Sequence, residues 1–554
     1  MLALNMRSRS LAMALGEALP VELREFWEAY SGWFSMFSIG PLLANEAMVR
    51  GALGEGVREA LILENWRSAG WWSGRELLEP AVADLLAERG VRMRLRPGRT
   101  LRAVRQGLIG VAARRYGQRS LAAVARDAER AAGDESLAKA EACEALWLSV
   151  GASSTELIRR LDPAVRECGA TVQTLDFDYY GSREALARTG LRYNDISVFK
   201  TADVLEGARE IARRLPGWWE GIADRAQALA VRSEFSPRQF AAVLDRLRVV
   251  LWRDAPSWWA HSQAAHAALD AYTPRVVVGF HVYGPVIAPM VIAAKRRGIA
   301  RVCLQHGVIG PRYLALPCLP YDEKLVFGEY AAEIMRRARE GEMKVTVTGH
   351  SLYDQPEEPV QPRAEVLALR EGVRGLVVLC TQFNEHMFYQ PEGWWLAEVA
   401  AACRKLGVRL ALKLHPSDDE KTLPLYRKLV VEGDDRVVLV PHGTLPLNEL
   451  LAACDMMITR DSTVVFEANL LGKPAITINL SRWEEELPYA ATGGALGVYR
   501  LEDIEGAIRS VLEEEAVREE LARKREGFGE AHMGPRDGGA TRRIAEVICG
   551  YGRG

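Results

Sequence analysis

The residues best suited to chemistry lie in the second half of the chain. Arg460-Asp461-Ser462-Thr463 is a small, hydroxyl-rich turn between an apolar run, residues 455–459, and a helical run, 464–471, closed by Gly472-Lys473-Pro474. Strand, turn and helix start, in that order, aim free backbone N–H groups, the positive helix end and the Ser462 and Thr463 hydroxyls at one spot. A phosphate needs that arrangement. Glu467 stands one turn further in, placed to accept hydrogen bonds from a ribose. Upstream, Leu410-Ala411-Leu412-Lys413-Leu414 reads as a strand ending in His415-Pro416-Ser417. Ligands of α/β sheets bind beyond the carboxyl ends of strands, where Lys413 supplies a charge and His415 an imidazole. Two more histidines, His281 and His306, each follow a strand-like run.

These residues need parallel strands to carry them. Residues 275–280 and 300–304 are apolar runs joined by a helical stretch that ends at Arg297-Gly298. A right-handed β-α-β crossover over that span places His281 and His306 on the same rim. Residues 145–150 run into Gly151-Ala152-Ser153-Ser154-Thr155, then a helix through Cys168 and a strand over 170–175, the start of a Rossmann-type half. That small hydroxylated loop fits a substrate-lining loop and a tight crossover turn equally. Strands over 324–328 and 344–349 continue the first sheet. Gln355 to Pro362 holds three prolines and no apolar period, so a linker is expected at 355–370. Residues 375–380 then open a second unit, with Thr381-Gln382 at the strand end. The strand over 437–440, the helix over 447–453 and the strand over 475–480 complete it.

Lys413-Leu414-His415-Pro416, followed by Asp461-Ser462-Thr463 and Glu467, resembles the donor half of GT-B glycosyltransferases. Within them it is similar to the bacterial surface-carbohydrate group of polysialyltransferases, Kdo transferases and poly(glycerol phosphate) polymerases. Leu304-Gln305-His306-Gly307-Val308 and Thr348-Gly349-His350 form a second matching block. The resemblance covers about residues 270–480. It implies an α/β GT-B fold, two Rossmann-like domains facing a cleft, here with an N-terminal α-rich extension. The expected division is an extension over 1–140, a first domain over 141–354 with a helical insertion at about 182–272, and a linker over 355–370. A donor domain over 371–528 follows, then a C-terminal helix, 529–554, returning to the first domain. By resemblance the nucleotide-sugar donor is held by Gly349, Thr381, Gln382, Lys413, His415, Pro416, Ser462, Thr463 and Glu467. His306 and His281 are the catalytic candidates, and Gln305 and Gly307 face the acceptor. The implied activity transfers a sugar, a CMP-linked acidic sugar among the candidates, to a surface glycan, a lipid-linked acceptor or a protein. No cofactor and no metal are expected. A polyol-phosphate transferase, a UDP-sugar 2-epimerase and a non-catalytic nucleotide-sugar-binding protein would share the fold. The epimerase reading lacks a His-Val-Glu-Ala-Gly-type segment after residue 304, where Gln-His-Gly stands.

Composition bounds the rest. The 554 residues, 49% apolar and 26% charged, suit a globular protein with two large domains. A net charge of −2 gives no reason to expect nucleic acid. No apolar run reaches the ~20 residues of a membrane helix, and Glu17 interrupts the short apolar stretch near the N-terminus. The eight cysteines are scattered without a Cys-x-x-Cys pair, which favours free thiols in a reducing cytoplasm. There is no P-loop. Asp176-Phe177-Asp178 is the one Asp-x-Asp, read as a polar strand end in preference to a metal site. The tryptophan pairs 71/72, 218/219, 258/259 and 394/395 diverge by ~100° along a helix and read as packing residues.

Charge is segregated. From Arg92 to Arg119 there are nine arginines and no acidic residue, so the remainder of the chain carries −11. Arginines solvating two helices and an edge strand account for this, as does a surface for an anionic acceptor or the inner face of a membrane. On the second reading Arg102 and Arg105 are acceptor-side residues. Reversing Arg102, Arg105, Arg114 and Arg115 to Glu then raises the acceptor KM and leaves donor affinity unchanged, checked by steady-state kinetics with each substrate varied. An equal fall in donor affinity excludes an acceptor-only role.

Overall fold

Near-continuous runs of Val, Ile, Leu and Met between helices dictate strands buried on both faces, and such strands pair in parallel. The computed structural model describes residues 10–34, 59–63, 86–87, 92–96, 102–177, 182–230, 235–281, 286–307, 309–314, 319–339, 342–354, 360–382, 394–415, 418, 422–460, 462–480, 487–535 and 537–553. Among them fifteen strands form three sheets. Two are short partners, β1 (Glu59–Leu63) and β2 (Arg92–Arg96), paired in parallel.

The first large sheet has seven strands in the order β5-β4-β3-β6-β7-β8-β9, all parallel. They are β3 (Ala145–Ser149), β4 (Val172–Asp176), β5 (Asn194–Asp195), β6 (Val276–Gly279), β7 (Ala300–Leu304), β8 (Glu323–Val326) and β9 (Lys344–Val347). The second has six, in the order β12-β11-β10-β13-β14-β15. These are β10 (Leu376–Cys380), β11 (Arg409–Lys413), β12 (Val437–Val440), β13 (Met456–Thr459), β14 (Ala475–Ile478) and β15 (Leu496–Val498). In both sheets the order runs outward one way and then reverses, between β3 and β6 and between β10 and β13. At such a switch point the flanking crossovers part and leave a crevice at the strand carboxyl ends.

Helices cover both faces of each sheet. Ala264, Leu269, Met290, Ile334 and Met335 pack on one face of the first sheet. Its other face is covered by Ile158, Leu161 and Val165 of the helix Ala152–Glu167 and by Ile544, Ile548 and Cys549 of the last helix, Ala540–Arg553. Asp354 caps that last helix, accepting from the backbone N–H groups of Ala540 (2.8 Å) and Thr541. Helix Glu515–Met533 precedes it and packs against both Val464–Leu470 of the second unit and Glu329–Arg339 of the first.

Several expected boundaries shift. Residues 364–370 are helical, not a bare linker, and Arg363 pairs with Glu449 of helix Leu447–Ala453 at 2.9 Å. The stretch 182–272 holds β5, which extends the first sheet, before the long helices Ala202–Ala230 and Pro237–Tyr272 begin. Glu515–Met533 runs straight through residue 528, because the apolar contacts of Phe528 and Met533 continue across it.

The N-terminal helix Val21–Phe34 lies on Pro237–Tyr272, with Leu23, Trp27 and Tyr30 buried among Leu247, Leu251 and Ala255. Glu25 with His266 (2.7 Å) and Glu28 with Arg296 (3.0 Å) fix its register. Helix Arg102–Ala132 packs on the same long helix, and Arg114 lies 4.7 Å over the ring of Trp252. Trp218, Trp219, Trp258 and Trp259 line this lobe's core, and Trp394 and Trp395 are buried in the second unit. Trp71 and Trp72 lie outside the described residues.

Where the chain crosses back to the first unit the backbones touch. A Cβ on Gly328 would stand 2.3 Å from the Ala531 carbonyl oxygen, and one on Gly534 2.3 Å from that of Phe327. Gly328→Ala must push the crossing helix off its seat. Overpacking of this kind costs about 1–3 kcal/mol, so thermal unfolding of the variant is expected to begin several degrees lower, read by differential scanning calorimetry.

Candidate functional site

At the switch point of the second sheet, β10 ends in Thr381-Gln382 and β13 in Thr459. Gln382 Nε2 donates to Thr459 Oγ1 (3.4 Å), which donates to the Cys380 carbonyl (3.1 Å), tying the two strand ends together. Beyond β13, Ser462 and Thr463 lead into helix Val464–Leu470. Ser462 Oγ accepts from the Val464 N–H (3.3 Å), and its carbonyl accepts from the Tyr489 hydroxyl (2.9 Å). The turn is held before any ligand arrives. Glu467 follows on that helix. Burial pushes its carboxyl up to about 7, against the pull of Arg160 from the helix Ala152–Glu167 of the first unit.

β11 delivers Lys413 and His415. Lys413 is buried, its Nζ 3.4 Å from the Pro441 carbonyl, and burial lowers its pKa. Burial also lowers His415, with His442 adding to this and Asp418 opposing it. His442, in the turn after β12, is lowered by burial and then by the charges of Lys413 and Arg188. Arg188 belongs to helix Ser182–Thr189 of the first unit. Asp418 is turned into the loop backbone. Its Oδ2 accepts from the His415 N–H (2.8 Å) and the Thr381 hydroxyl (2.8 Å), and its Oδ1 from the Tyr426 hydroxyl (3.0 Å). Thr381, expected to touch the donor, is thus a brace for the His415 loop. Pro416 and Asp461 lie outside the described residues.

On the facing rim His281 follows β6 and His306 follows β7, with ring centroids 4.3 Å apart. His306 Nδ1 lies 2.7 Å from the Phe280 carbonyl oxygen. A carbonyl only accepts, so Nδ1 carries the proton and Nε2 keeps a lone pair. Burial holds His306 at about 3, helped by the charges of His281 and Lys324, and holds His281 at about 4. The His281 Nδ1 is buried without a hydrogen-bond partner. Gln305 is engaged at both ends, Nε2 donating to the Gly307 carbonyl (2.8 Å) and Oε1 accepting from the Phe327 N–H (2.8 Å), so it braces the loop that presents His306.

Gly349 sits at a positive φ of 84° against Ala540 and Arg543 of the last helix. It packs there where the chain crosses back to the first unit. The Ser154 and Thr155 hydroxyls both donate to the Gly151 carbonyl (2.8 and 3.1 Å) inside the first turn of their helix, so this segment is a crossover turn. Asp176 is a buried strand end, Asp178 lies outside the described residues, and among the described residues no three His, Cys, Asp or Glu side chains gather as a metal site. Arg115 and Arg119 are exposed, and the side chains of Arg102 and Arg105 are outside the description. His442, Arg188, Arg160 and Asp418 stand in no motif. Only their charge beside His415, Lys413 or Glu467 marks them, and that nearness exists only in the fold.

No family model matches the chain, and no curated protein does. Among solved structures, the putative UDP-N-acetylglucosamine 2-epimerase of Listeria monocytogenes superposes with a TM-score of 0.50 at 15% identity, covering 75% of this chain and 97% of that one. The fold is GT-B. Its two parallel sheets each have their own switch point. The UDP-GlcNAc 2-epimerase of Neisseria meningitidis bound to UDP-GlcNAc (TM-score 0.48, 13% identity, 74% of this chain and 100% of that one) is another similar structure. So is the spinosyn rhamnosyltransferase SpnG (0.38, 14%, 74% and 100%). At these identities the likeness speaks for the fold alone. Among the described residues no helix is long and apolar enough to cross a membrane.

The raised Glu467 carboxyl has a measurable consequence. Unfolded, the group loses its proton near 4.5, and folded near 7. As pH rises across that window the unfolded chain ionises first, so the native state loses stability and stays weaker above it. Glu467→Gln is expected to unfold at higher denaturant than wild type above pH 7, by on the order of 1–3 kcal/mol, with the gain gone below about pH 4.5. Urea titrations at pH 4.5 and 8 check this.

Proposed function

We propose that this GT-B chain is a metal-independent glycosyltransferase that takes a sugar from a nucleotide-activated donor and passes it to a hydroxyl of a glycan or glycoconjugate. The observation that carries the reading is the gathering of Lys413, His415 and His442 at neighbouring strand ends. Arg188 is near enough for its charge to weigh on His442. A lysine and two histidines desolvated by burial, with the charges of Lys413 and Arg188 weighing further on His442 and that of His442 on His415, make a pocket that an anion relieves. A donor phosphate is such an anion, and Glu467, one helical turn beyond Ser462 and Thr463, suits a ribose.

Across the cleft His306 Nε2 takes the proton of the acceptor hydroxyl as its oxygen bonds to the anomeric carbon. The bond from that carbon to the phosphate oxygen breaks, and its electron pair leaves on the nucleotide phosphate. Lys413, His415 and the Ser462-Thr463 turn stabilise the charge that develops there. The anionic donor also raises the basicity of His306, offsetting what burial removes. The Lys413-Leu414-His415-Pro416 and Ser462-Thr463 elements support placing the chain near the bacterial surface-carbohydrate transferases, with a CMP-linked acidic sugar as one candidate donor.

Thermal shifts with CMP, UDP, GDP and CDP identify the nucleotide. A true ligand at 100 times its Kd stabilises by about 2.7 kcal/mol. Loss of the phosphate contact in His415→Ala or Lys413→Ala is expected to cost about 2.7–4 kcal/mol of transition-state stabilisation, a fall in turnover of roughly 10²–10³, in EDTA-treated enzyme. Near wild-type turnover in folded variants overturns the donor site, and interconversion of UDP-sugars without transfer overturns the reaction class.

A further inference from the structure

Helix Arg102–Ala132 carries two rows of opposite character. Ala113, Gly117, Leu121, Val124 and Ala128 recur every three or four residues and are buried. Leu121, Val124 and Ala128 pack with Leu205, Ala208 and Ala260. A Cβ on Gly117 would stand 2.3 Å from the Trp252 carbonyl oxygen, and Ser257 Oγ donates to Ser120 Oγ (3.0 Å). Contacts this close keep the helix from rolling on its seat, so what it turns to solvent is fixed. On the opposite side of the axis, offset by two positions, Val111, Arg115, Arg119, Ala122 and Arg126 repeat the same spacing, and all five are exposed.

That outer row is cationic without compensation. No acidic residue stands between Arg92 and Arg126 in the sequence. Among the described residues Arg115, Arg119 and Arg126 make no ion pair, whereas Arg130, the next arginine along, is held by Asp127 at 3.3 Å. Solvated helix faces elsewhere in the chain supply their own counter-ions: Arg209 and Arg213 pair with Glu206 and Glu210, and Arg336 with Glu329, each within one helix. Nor is the row purely polar. Val111 in it is 44% exposed, and Tyr116 at its flank 52%. The chain outside residues 92–119 carries −11, so an anionic surface attracts this face and repels the rest, which sets one orientation.

We infer that this row is a docking face for an anionic lipid bilayer, its arginines on headgroup phosphates and Val111 and Tyr116 entering the interface between them. Arginine matches phosphate oxygens with a planar fork of donors. A soluble polyanion would satisfy the charges but leave the valine and the tyrosine in water. A bilayer satisfies both, because apolar surface lies just beneath its charge and a tyrosine keeps its hydroxyl at the wet boundary. The docking face is separate from the donor site and does not depend on the transferase reading.

Flotation of the full chain with phosphatidylcholine vesicles, with and without phosphatidylglycerol, tests this, with circular dichroism confirming the fold of each variant. Wild type is expected to float with the anionic vesicles alone, and to be released as NaCl rises from about 0.1 to 1 M and the Debye length falls from ~10 to ~3 Å. Arg115→Gln, Arg119→Gln and Arg126→Gln together lower the partition coefficient roughly 100-fold. Arg115→Lys, Arg119→Lys and Arg126→Lys together keep it, as does Arg209→Gln with Arg213→Gln on the paired face. Val111→Ser with Tyr116→Ser weakens binding at constant charge. Wild type that stays unbound to anionic vesicles at about 0.1 M salt, floats equally with neutral ones, or floats no better than the folded triple Gln variant overturns the inference. Polyphosphate bound as tightly as the anionic vesicles, with no effect of the Val111 and Tyr116 substitutions, assigns the row to a soluble polyanion and overturns it as well.

Discussion

A parallel sheet whose strand order reverses cannot keep its crossovers together at the point of reversal. Each of the two large sheets here has one such place, between β3 and β6 and between β10 and β13. Parallel strands all finish on the same side, so every loop carrying a polar group after an apolar run is delivered there. Lys413, His415, His442 and Ser462 belong to one such edge, and His281 and His306 to the other. The chemistry depends on that topological constraint more than on any single contact.

Two kinds of interaction turn the edges into a site. Hydrogen bonds to buried acceptors hold the loops: Asp418 carries the His415 backbone, Gln305 carries the loop of His306, and Thr459 links β10 to β13. Electrostatics then sets the protonation states. Burial lowers Lys413 and the histidines and raises Glu467, so the site has weakly held protons and a carboxyl near its midpoint at neutral pH. A bound anion reverses much of that cost, which couples ligand binding to the charge state of the walls.

The two units are joined by backbone in close contact. Gly328 and Gly534 let helix Glu515–Met533 and the segment after it lie directly against the end of β8. The stack of Phe466, Phe528 and His532 continues this contact into the second unit. The N-terminal helices build a separate apolar core on Pro237–Tyr272 and carry the arginine-rich face, of which Arg114 is packed on Trp252 while Arg115 and Arg119 face solvent.

By itself the sequence determined the strands, since apolar β-branched runs of four to six residues between helical stretches admit little else. It also determined the residues that end them, because His281, His306, His415 and Ser462 follow such runs directly. Those relations are local, and local physics is written in order along the chain. What only the tertiary structure decided is which groups share a space. Arg188 stands 254 residues before His442, Lys324 reaches across from one strand to the next, and Asp418 turns away from the cleft towards Thr381 and Tyr426. The same holds for the partners of Thr381 and Gln305, which reach Asp418 and Phe327 from distant segments. A side chain's partners are set by packing between segments distant in sequence, and neither spacing nor residue type carries that information.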